Sequence, residues 1–373
     1  MGIRSSIWLL VKGSKDMPER SKSGGKLMSR GYRVEQLEGC QLNANEKPAN
    51  LPPEIIEEIK GKLPGISFNR YPDDGAKDLC EAYGTYAEVA PEQIIAGNGS
   101  DEILGLLIAT YINKGQKLYT LDPDFSMYDY YVQQNEGEVI PYSLGVQKVF
   151  DVEEFIAKGK ESQVDLIIFS NPNNPTGQVI EDQEILKIIE AFSDIPVIID
   201  EAYTEFYGRT MAPYLSKYHN LGITRTLSKA FGLAAIRCGF LLAHPEIIAH
   251  VRPLKVPYNV NSLTQLVATT VLNHCHLILK DVADLCEARD VLYKNYSKLA
   301  PDCLKLYPSQ ANYFYGVCQL SSQVPETFAA SGIAVRQMGE GVIRLTVGTA
   351  SENDKVLEVL KKLKGMEKSN EKK

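Results

Sequence analysis

Short apolar runs alternate with amphipathic stretches through most of the chain. Short, mostly apolar runs predict strands at residues 94–96, 117–121, 165–169, 196–200, 222–227 and 239–243. Helical spacing of apolar residues predicts helices at residues 102–112 and 181–192. Continuous apolar strands separated by helices are typical of parallel sheets that are covered on both faces. The pattern therefore predicts an α/β fold with a mostly parallel central sheet covered by helices.

From residue 262 the pattern changes. A long helical region at 262–299 precedes short strands at 312–315, 333–336 and 342–347, and a final helix at 352–364 has one apolar face. These elements predict a second, smaller α+β domain. The expected organisation is a disordered extension (1–27), an N-terminal arm (28–50), a large ligand-binding domain (51–261), a small C-terminal domain (262–365) and a charged tail (366–373).

The N-terminal segment does not have the pattern of a secretory signal. The apolar run at residues 7–11 is short and Lys12 ends it at once. Residues 14–26 are polar and rich in Gly, Ser and Lys, so we interpret residues 1–27 as an extension and Met28 as a plausible natural start. No stretch approaches the roughly 18 apolar residues that span a bilayer. We therefore expect no membrane association.

Composition narrows the class of protein further. The net charge of −7 argues against a nucleic-acid-binding surface. The seven cysteines are scattered, odd in number and without a CxxC pair, which fits a reducing cytoplasm better than a disulfide scaffold. We expect Cys238 to be a buried, unreactive thiol. His274 and His276 lie two apart on a predicted helix and face different directions, so we expect no metal site.

Lys229 follows a predicted strand and has polar neighbours. A lysine taken alone is usually a solvated surface charge. However, a lysine amine can bond covalently to a carbonyl cofactor when its surroundings lower its pKa. The Thr226 and Ser228 hydroxyls are two residues apart and can face one side, where Arg237 would add a bidentate contact. Together they indicate a phosphate site beside the amine.

Asp200 closes the apolar strand at 196–200. A carboxylate there is costly unless it meets a cation or hydrogen-bond donors. A protonated ring nitrogen would be such a cation, and the pair would keep the ring an electron sink. The alternative is an ordinary helix N-cap.

Two loops after strands complete the candidate site. Residues 97–101 (GNGSD) precede a helix, whose free N–H groups favour a single phosphate, while the missing third glycine weakens a dinucleotide interpretation. Residues 171–177 (NPNNPTG) indicate a turn, with a bare loop as the alternative. The asparagines of this loop can place an amide near a ligand oxygen, and its prolines allow a cis peptide at Pro175.

In this order and spacing the motifs resemble the class-II, fold-type-I pyridoxal-phosphate-dependent aminotransferases, and within them the histidinol-phosphate aminotransferase family. The resemblance covers residues 42–360. It includes residues 42–46, 70–73, 97–101, 174–177, 200–203, 228–231, 237–239 and 344–348.

The resemblance implies roles for individual residues. Lys229 would bind pyridoxal 5'-phosphate covalently and move a proton between the substrate Cα and the cofactor C4′, with Asp200 pairing with the pyridine nitrogen. Tyr203 and Asn174 would hydrogen-bond the ring oxygen, and Phe125 would stack on the ring. The phosphate would be held by the main chain at Ser100 and Asp101 and by Thr226, Ser228 and Arg237.

The resemblance also implies a homodimer with shared active sites, in which Tyr71 reaches the phosphate of the neighbouring subunit. Arg344 would take the carboxylate of glutamate or 2-oxoglutarate. Arg336 would be a second anion contact, and Asn45 would line the substrate pocket. The alternative for the two arginines is a pair of solvated strand residues.

Two positions depart from the family pattern. Phe125 stands where some relatives have tyrosine, and Lys47 replaces the commoner asparagine or tyrosine in a segment that lines the substrate pocket. The expected reaction is ping-pong transamination of L-histidinol phosphate with 2-oxoglutarate in histidine biosynthesis. An aromatic or broad-specificity aminotransferase and a threonine-phosphate decarboxylase are the alternatives. A pyridoxal-phosphate-binding regulator is disfavoured, because no helix-turn-helix or basic region is present.

Overall fold

The computed structural model describes residues 39–145, 149–319 and 323–370, the last four by their backbone alone. The predictions for residues 1–27, for a start at Met28 and for the first part of the arm lie outside the described residues. So does the end of the predicted tail, at residues 371–373.

Within the described residues the larger sheet has seven strands. They are β2 (Ile94–Gly97), β3 (Lys117–Asp122), β4 (Glu138–Ser143), β5 (Leu166–Ser170), β6 (Val197–Asp200), β7 (Leu221–Thr226) and β8 (Gly239–Ala243), arranged in the order β2-β8-β7-β6-β5-β3-β4. Every pairing is parallel except those of β8, which runs antiparallel to both neighbours. The mostly parallel sheet is confirmed.

Helices cover both faces of this sheet. Alternate residues of its strands point to opposite faces and pack into two different apolar cores. Ile167 and Phe169 pack into one apolar cluster, whereas Leu166 and Ile168 pack into another. The helices up to this point are α1 (Pro53–Lys62), α2 (Lys77–Ala87), α3 (Ser100–Tyr111), α4 (Met127–Gln134), α5 (Val152–Ser162), α6 (Asp182–Ala191), α7 (Thr204–Tyr207) and α8 (Pro245–Val251). This two-sided burial explains why the sequences of the central strands, such as β5, are mostly apolar.

The smaller sheet joins the two ends of the described chain. Its strands are β1 (Cys40–Leu42), β9 (Leu304–Leu306), β10 (Tyr313–Cys318), β11 (Ile333–Gly339) and β12 (Val342–Thr346), in the order β1-β11-β12-β10-β9. The remaining helices are α9 (Ser262–Asn273), α10 (Cys275–Leu299), α11 (Gln323–Ala330) and α12 (Ala350–Asn370). β1 pairs in parallel with β11, so the N-terminal arm is an edge strand of the C-terminal sheet. The proposed boundary at residue 262 stays a prediction.

Three local expectations need correction. The helical region 262–299 is broken at His274, whose Nε2 lies 2.6 Å from Glu58 Oε2 on α1. α12 continues to Asn370, because Lys, Glu and Met are good helix formers, so the predicted tail is helical up to that residue. The cis peptide bonds lie at Asp122–Pro123 and Asn171–Pro172. The expectation of one at Pro175 is wrong, and the turn there closes through the Gly177 N–H, which donates to Asn173 O (2.7 Å).

Candidate active site

The predicted site residues lie where the parallel strands end. In open α/β sheets, ligands bind beyond the carboxyl ends of the strands. The candidate residues lie at the ends of five strands along this edge. Ser100 and Asp101 follow β2, Phe125 follows β3, Asn174 follows β5, Asp200 closes β6 with Tyr203 after it, and Ser228 and Lys229 follow β7.

Lys229 is partly buried at the end of β7. Its Nζ donates a hydrogen bond to the Ala44 carbonyl oxygen of the N-terminal arm (2.8 Å). Burial, together with the positive charge of Arg344, lowers the pKa of Lys229 to about 8. A sizeable fraction of neutral, nucleophilic amine is therefore present near neutral pH.

Asp200 is buried at the end of β6. Its Oδ2 accepts a hydrogen bond from the Tyr128 hydroxyl (2.8 Å), and its Oδ1 accepts one from Thr224 Oγ1 (2.9 Å). Burial raises the pKa of Asp200 to about 6, against the opposing effect of these donors. Such a carboxylate is prepared for a cationic partner. Sequence reasoning missed Tyr128 and Thr224, although Thr224 stands beside Asp200 in the register of two adjacent strands.

Arg237 and Ser228, two predicted phosphate contacts, come together with Asp101 at the start of α3. The Arg237 guanidinium donates to Asp101 Oδ2 (2.9 Å) and to Ser228 Oγ (3.2 Å). The Ser228 N–H donates to Thr226 Oγ1 (3.1 Å), so the two predicted hydroxyls are adjacent. A Cβ on Gly99 would lie 2.6 Å from Arg237 Nη2, so glycine is needed for this close packing. The first N–H groups of a helix, hydroxyls and a guanidinium together suit a phosphate.

Arg344 and Asn174 form the opposite wall. Arg344 donates to Asn174 Oδ1 (2.5 Å) and to the Asn43 carbonyl oxygen (3.1 Å). Its Nε is buried and has no hydrogen-bond partner among the described residues, which suits an incoming carboxylate. Arg336 stands directly opposite Arg344 in the β11–β12 pairing. Residues paired in this way project from the same face of a sheet, so the two arginines lie on one face of β11 and β12.

Asn45 is the residue that links the two sheets at the site. It is fully buried and has a φ of 55°, in the left-handed region that asparagine tolerates. Its Nδ2 donates to the Tyr203 hydroxyl (2.9 Å), and its N–H donates to Thr346 Oγ1 (3.0 Å) on β12. Asn312 Nδ2 donates to its carbonyl oxygen (3.1 Å). The arm is thus fixed to both sheets beside the site.

Other predicted residues occupy different surroundings. The Phe125 ring is partly buried and meets the Tyr128 ring edge to face. Tyr71 is 80% exposed and stacks on Tyr258, with ring centroids 4.7 Å apart. Lys47 forms an ion pair with Asp281 of α10 (2.9 Å).

The remaining predictions concern thiols, metals and membranes. The seven cysteines are free, and burial raises the pKa of the Cys238 thiol, as expected for an unreactive residue. No group of three or more potential metal-ligating side chains occurs in the part of the chain that the structure describes. None of the described helices combines the length and apolar character of a membrane span.

The donor set fits a ligand with three features. Lys229 suits a carbonyl carbon, Asp200 suits a protonatable ring nitrogen, and the corner at Ser228 and Arg237 suits a phosphate. Gly99 has no side chain, so Arg237 can pack beside the start of α3, where a phosphate would bind.

Residues 38–360 match the family described as Aminotransferase class I and II, and the chain belongs to this family. It is 36% identical over 341 residues to a protein named histidinol-phosphate aminotransferase from Caldanaerobacter subterraneus subsp. tengcongensis, covering 90% of this chain and 96% of that protein. It is 38% identical over 328 residues to one of the same name from Thermoanaerobacter pseudethanolicus, covering 87% and 92%.

Solved structures have the same fold. The histidinol-phosphate aminotransferase from Sinorhizobium meliloti in complex with pyridoxal-5'-phosphate superposes with a TM-score of 0.80 at 20% identity, over 88% of this chain and 91% of that chain. An L-threonine-O-3-phosphate decarboxylase from Porphyromonas gingivalis gives 0.75 at 18% identity, over 87% and 98%. These likenesses confirm the predicted fold class.

Proposed function

We propose that the chain is a pyridoxal-5'-phosphate-dependent histidinol-phosphate aminotransferase. It transfers the amino group of L-histidinol phosphate to 2-oxoglutarate, forming imidazole-acetol phosphate and L-glutamate in histidine biosynthesis. The observation that supports the proposal most strongly is the similarity to relatives of that name over nearly the whole of both chains. The geometry of the site accounts for the chemistry.

The proposed cofactor contacts follow from the donor set. Lys229 would hold the cofactor at its carbonyl carbon, Asp200 would pair with the ring nitrogen, and Asn174 and Tyr203 would hydrogen-bond the ring oxygen. Phe125 stacks on the ring, and the phosphate is held by Ser100, Asp101, Thr226, Ser228 and Arg237. When bound, the cofactor withdraws electrons from the substrate Cα, which makes the Cα proton removable.

Lys229 is the proposed acid and base. With substrate bound, the free Lys229 amine would remove the proton from the substrate Cα and would return it at the cofactor C4′. A pKa of about 8 suits this work, because a group that exchanges protons best has a pKa near the working pH.

Arginines select the anionic substrates. Arg344 holds the carboxylate of glutamate or 2-oxoglutarate, using its unpartnered Nε. Arg336 is a second anion contact for the phosphate of the amine substrate, and Asn45 shapes the pocket through its bond to Tyr203.

The proposed assembly is a homodimer with shared active sites, in the cytoplasm. Exposed apolar side chains cluster in sequence around Tyr71 and the Tyr258 loop that stacks on it, including Phe68 (77% exposed) and Val256 (63%). Such side chains are costly to leave in water and mark an interface. A second copy there would let Tyr71 reach the phosphate of its neighbour. The free cysteines support a reducing compartment.

A half-reaction screen tests the substrate. Purified enzyme is mixed with histidinol phosphate, phenylalanine, aspartate or threonine phosphate, and the absorbance change of the bound cofactor is followed with a Lys229→Ala control. We expect histidinol phosphate to react with the highest kcat/KM. Faster reaction with phenylalanine or aspartate would identify a different aminotransferase. Release of CO2 from threonine phosphate would identify a decarboxylase.

A further inference from the structure

Tyr128 contacts two of the proposed cofactor-binding residues at once. It lies in the first turn of α4 and is 1% exposed. Its hydroxyl donates to Asp200 Oδ2 (2.8 Å), and its ring meets Phe125 edge to face, with centroids 5.8 Å apart and planes at 90°. Asp200 is expected to pair with the ring nitrogen of the cofactor, and Phe125 is expected to stack on the face of the ring.

We propose that Tyr128 is a positioning residue for the cofactor: its hydroxyl fixes the charged carboxylate of Asp200, and its ring sets the orientation of Phe125. This inference rests on the proposed function, because both partners act through pyridoxal 5'-phosphate.

The hydroxyl is a permanent donor. Burial raises the pKa of Tyr128 further above its usual range, so the phenol keeps its proton at any working pH. The hydrogen bond therefore always favours the charged form of Asp200, against the effect of burial. The Thr224 hydroxyl and the Ala202 main chain assist it.

Other groups that face this pair act in the opposite direction. The carboxylate of Asp101, on α3, disfavours a second negative charge at Asp200. Asp200 in turn raises the pKa of Asp124, after β3, which burial already holds well above its usual range. The phenol of Tyr313, on β10, lies within the same electrostatic environment. Without the Tyr128 donor, burial and the charge of Asp101 are opposed by fewer donors, the Thr224 hydroxyl and the Ala202 main chain, so the pKa of Asp200 should rise above about 6. As the pH falls, Asp200 would then lose its negative charge at a higher pH than it does in the wild type.

The chain offers a matched control. Tyr119 is also fully buried, and its hydroxyl donates to the main-chain oxygen of Phe155 (2.9 Å) in the core. Tyr119→Phe removes a buried phenol oxygen without touching Asp200 or Phe125. Any effect shared with Tyr128→Phe is therefore one of stability alone.

The test is equilibrium binding of pyridoxal 5'-phosphate to the apoenzyme, followed by absorbance. For Tyr128→Phe, affinity should fall about tenfold near pH 6 and clearly less near pH 8.5, because one hydrogen bond to a charged group is lost. Thr224→Val should likewise lower the affinity for the cofactor more near pH 6 than near pH 8.5. Tyr128→Leu should lose further affinity at both pH values, since Phe125 also loses its support, and Tyr119→Phe should match the wild type.

Tyr128→His restores a ring and an N–H donor, so it should bind more tightly near pH 6 than Tyr128→Phe does. An unchanged pH profile in Tyr128→Phe, or the same shift in Tyr119→Phe, would overturn the inference. If the wild type binds no pyridoxal 5'-phosphate through Lys229, the proposed function fails instead. The two failures are thus distinguishable.

Discussion

At the scale of single residues, the positive charge of Arg344 affects the protonation of Lys229. Burial and, after it, the positive charge of the Arg344 guanidinium lower the pKa of the Lys229 amine to about 8. Arg344→Gln removes that charge, so the pKa of Lys229 should rise above about 8, and less neutral amine is present at neutral pH. The pH dependence of covalent cofactor capture by the apoenzyme measures this shift, and its midpoint should move to higher pH. Arg344→Lys keeps the charge and should keep the midpoint; equal midpoints in both variants would contradict the electrostatic coupling.

Removal of the Lys229 amine is the most direct test of its role. Lys229→Ala should eliminate the visible absorbance of covalently held pyridoxal 5'-phosphate and lower kcat by at least about 10²–10⁴-fold, because a general acid and base is lost. Lys217→Ala is a matched control, since Lys217 is an exposed lysine whose amine donates to the hydroxyl of the neighbouring Tyr218 (2.7 Å), at the surface. A variant that keeps the absorbance would refute the covalent attachment.

For single residues, the sequence predicts which charged side chains lie at the ends of strands but not which groups they form hydrogen bonds with. Lys229, Asp200 and Arg237 could be predicted because charged residues are unexpected at the ends of apolar runs. Tyr128 could not, because a tyrosine in an amphipathic helix is equally consistent with a core position. Its partnership with Asp200 depends on how far α4 lies from the end of β6, which periodicity does not specify.

At the scale of elements, β8 runs directly against the start of α3. A Cβ on Gly239 would lie 2.5 Å from the Gly99 carbonyl carbon and closer still to the Ser100 nitrogen. Gly239→Ala should therefore displace the first turn of α3, lower cofactor affinity and destabilise the fold by about 1–3 kcal/mol. Cofactor titration and thermal unfolding measure the two effects. Gly65→Ala, with nothing within 4 Å, is the control and should change neither. Equal behaviour of the two variants would show that the packing is not tight.

The elements themselves were predictable to the extent that burial is two-sided. The strands of the central sheet that are buried on both faces are mostly apolar and can be predicted, although β7 contains Thr224, Arg225 and Thr226. β4 was missed because it is an edge strand with mostly polar or partly exposed residues, including Pro141. β1 was missed because three residues give too little pattern, and its partner β11 is remote in sequence.

At the scale of the whole molecule, the exposed apolar side chains near Tyr71 predict self-association. Val256→Asp places a charge in this surface and should convert the proposed dimer to monomer, which analytical ultracentrifugation detects. Cofactor retention should fall with it, because Tyr71 of the neighbour is lost. Val291→Asp alters a valine of similar exposure on α10 and should leave the assembly intact. A monomeric wild type that retains the cofactor fully would exclude the shared site.

The pairing of β1 with β11 has a consequence for synthesis. Cys40 leaves the ribosome early, yet its partner Ile333 is made about 290 residues later. At translation rates of about 5–20 residues per second, the strand waits roughly 15–60 seconds for a partner. Throughout that interval the arm that supplies Asn45 and the Ala44 carbonyl is unpaired, so a nascent chain that has completed its central sheet still lacks one wall of its active site. Ribosome-bound chains stalled before residue 333 should therefore be folded in part but inactive.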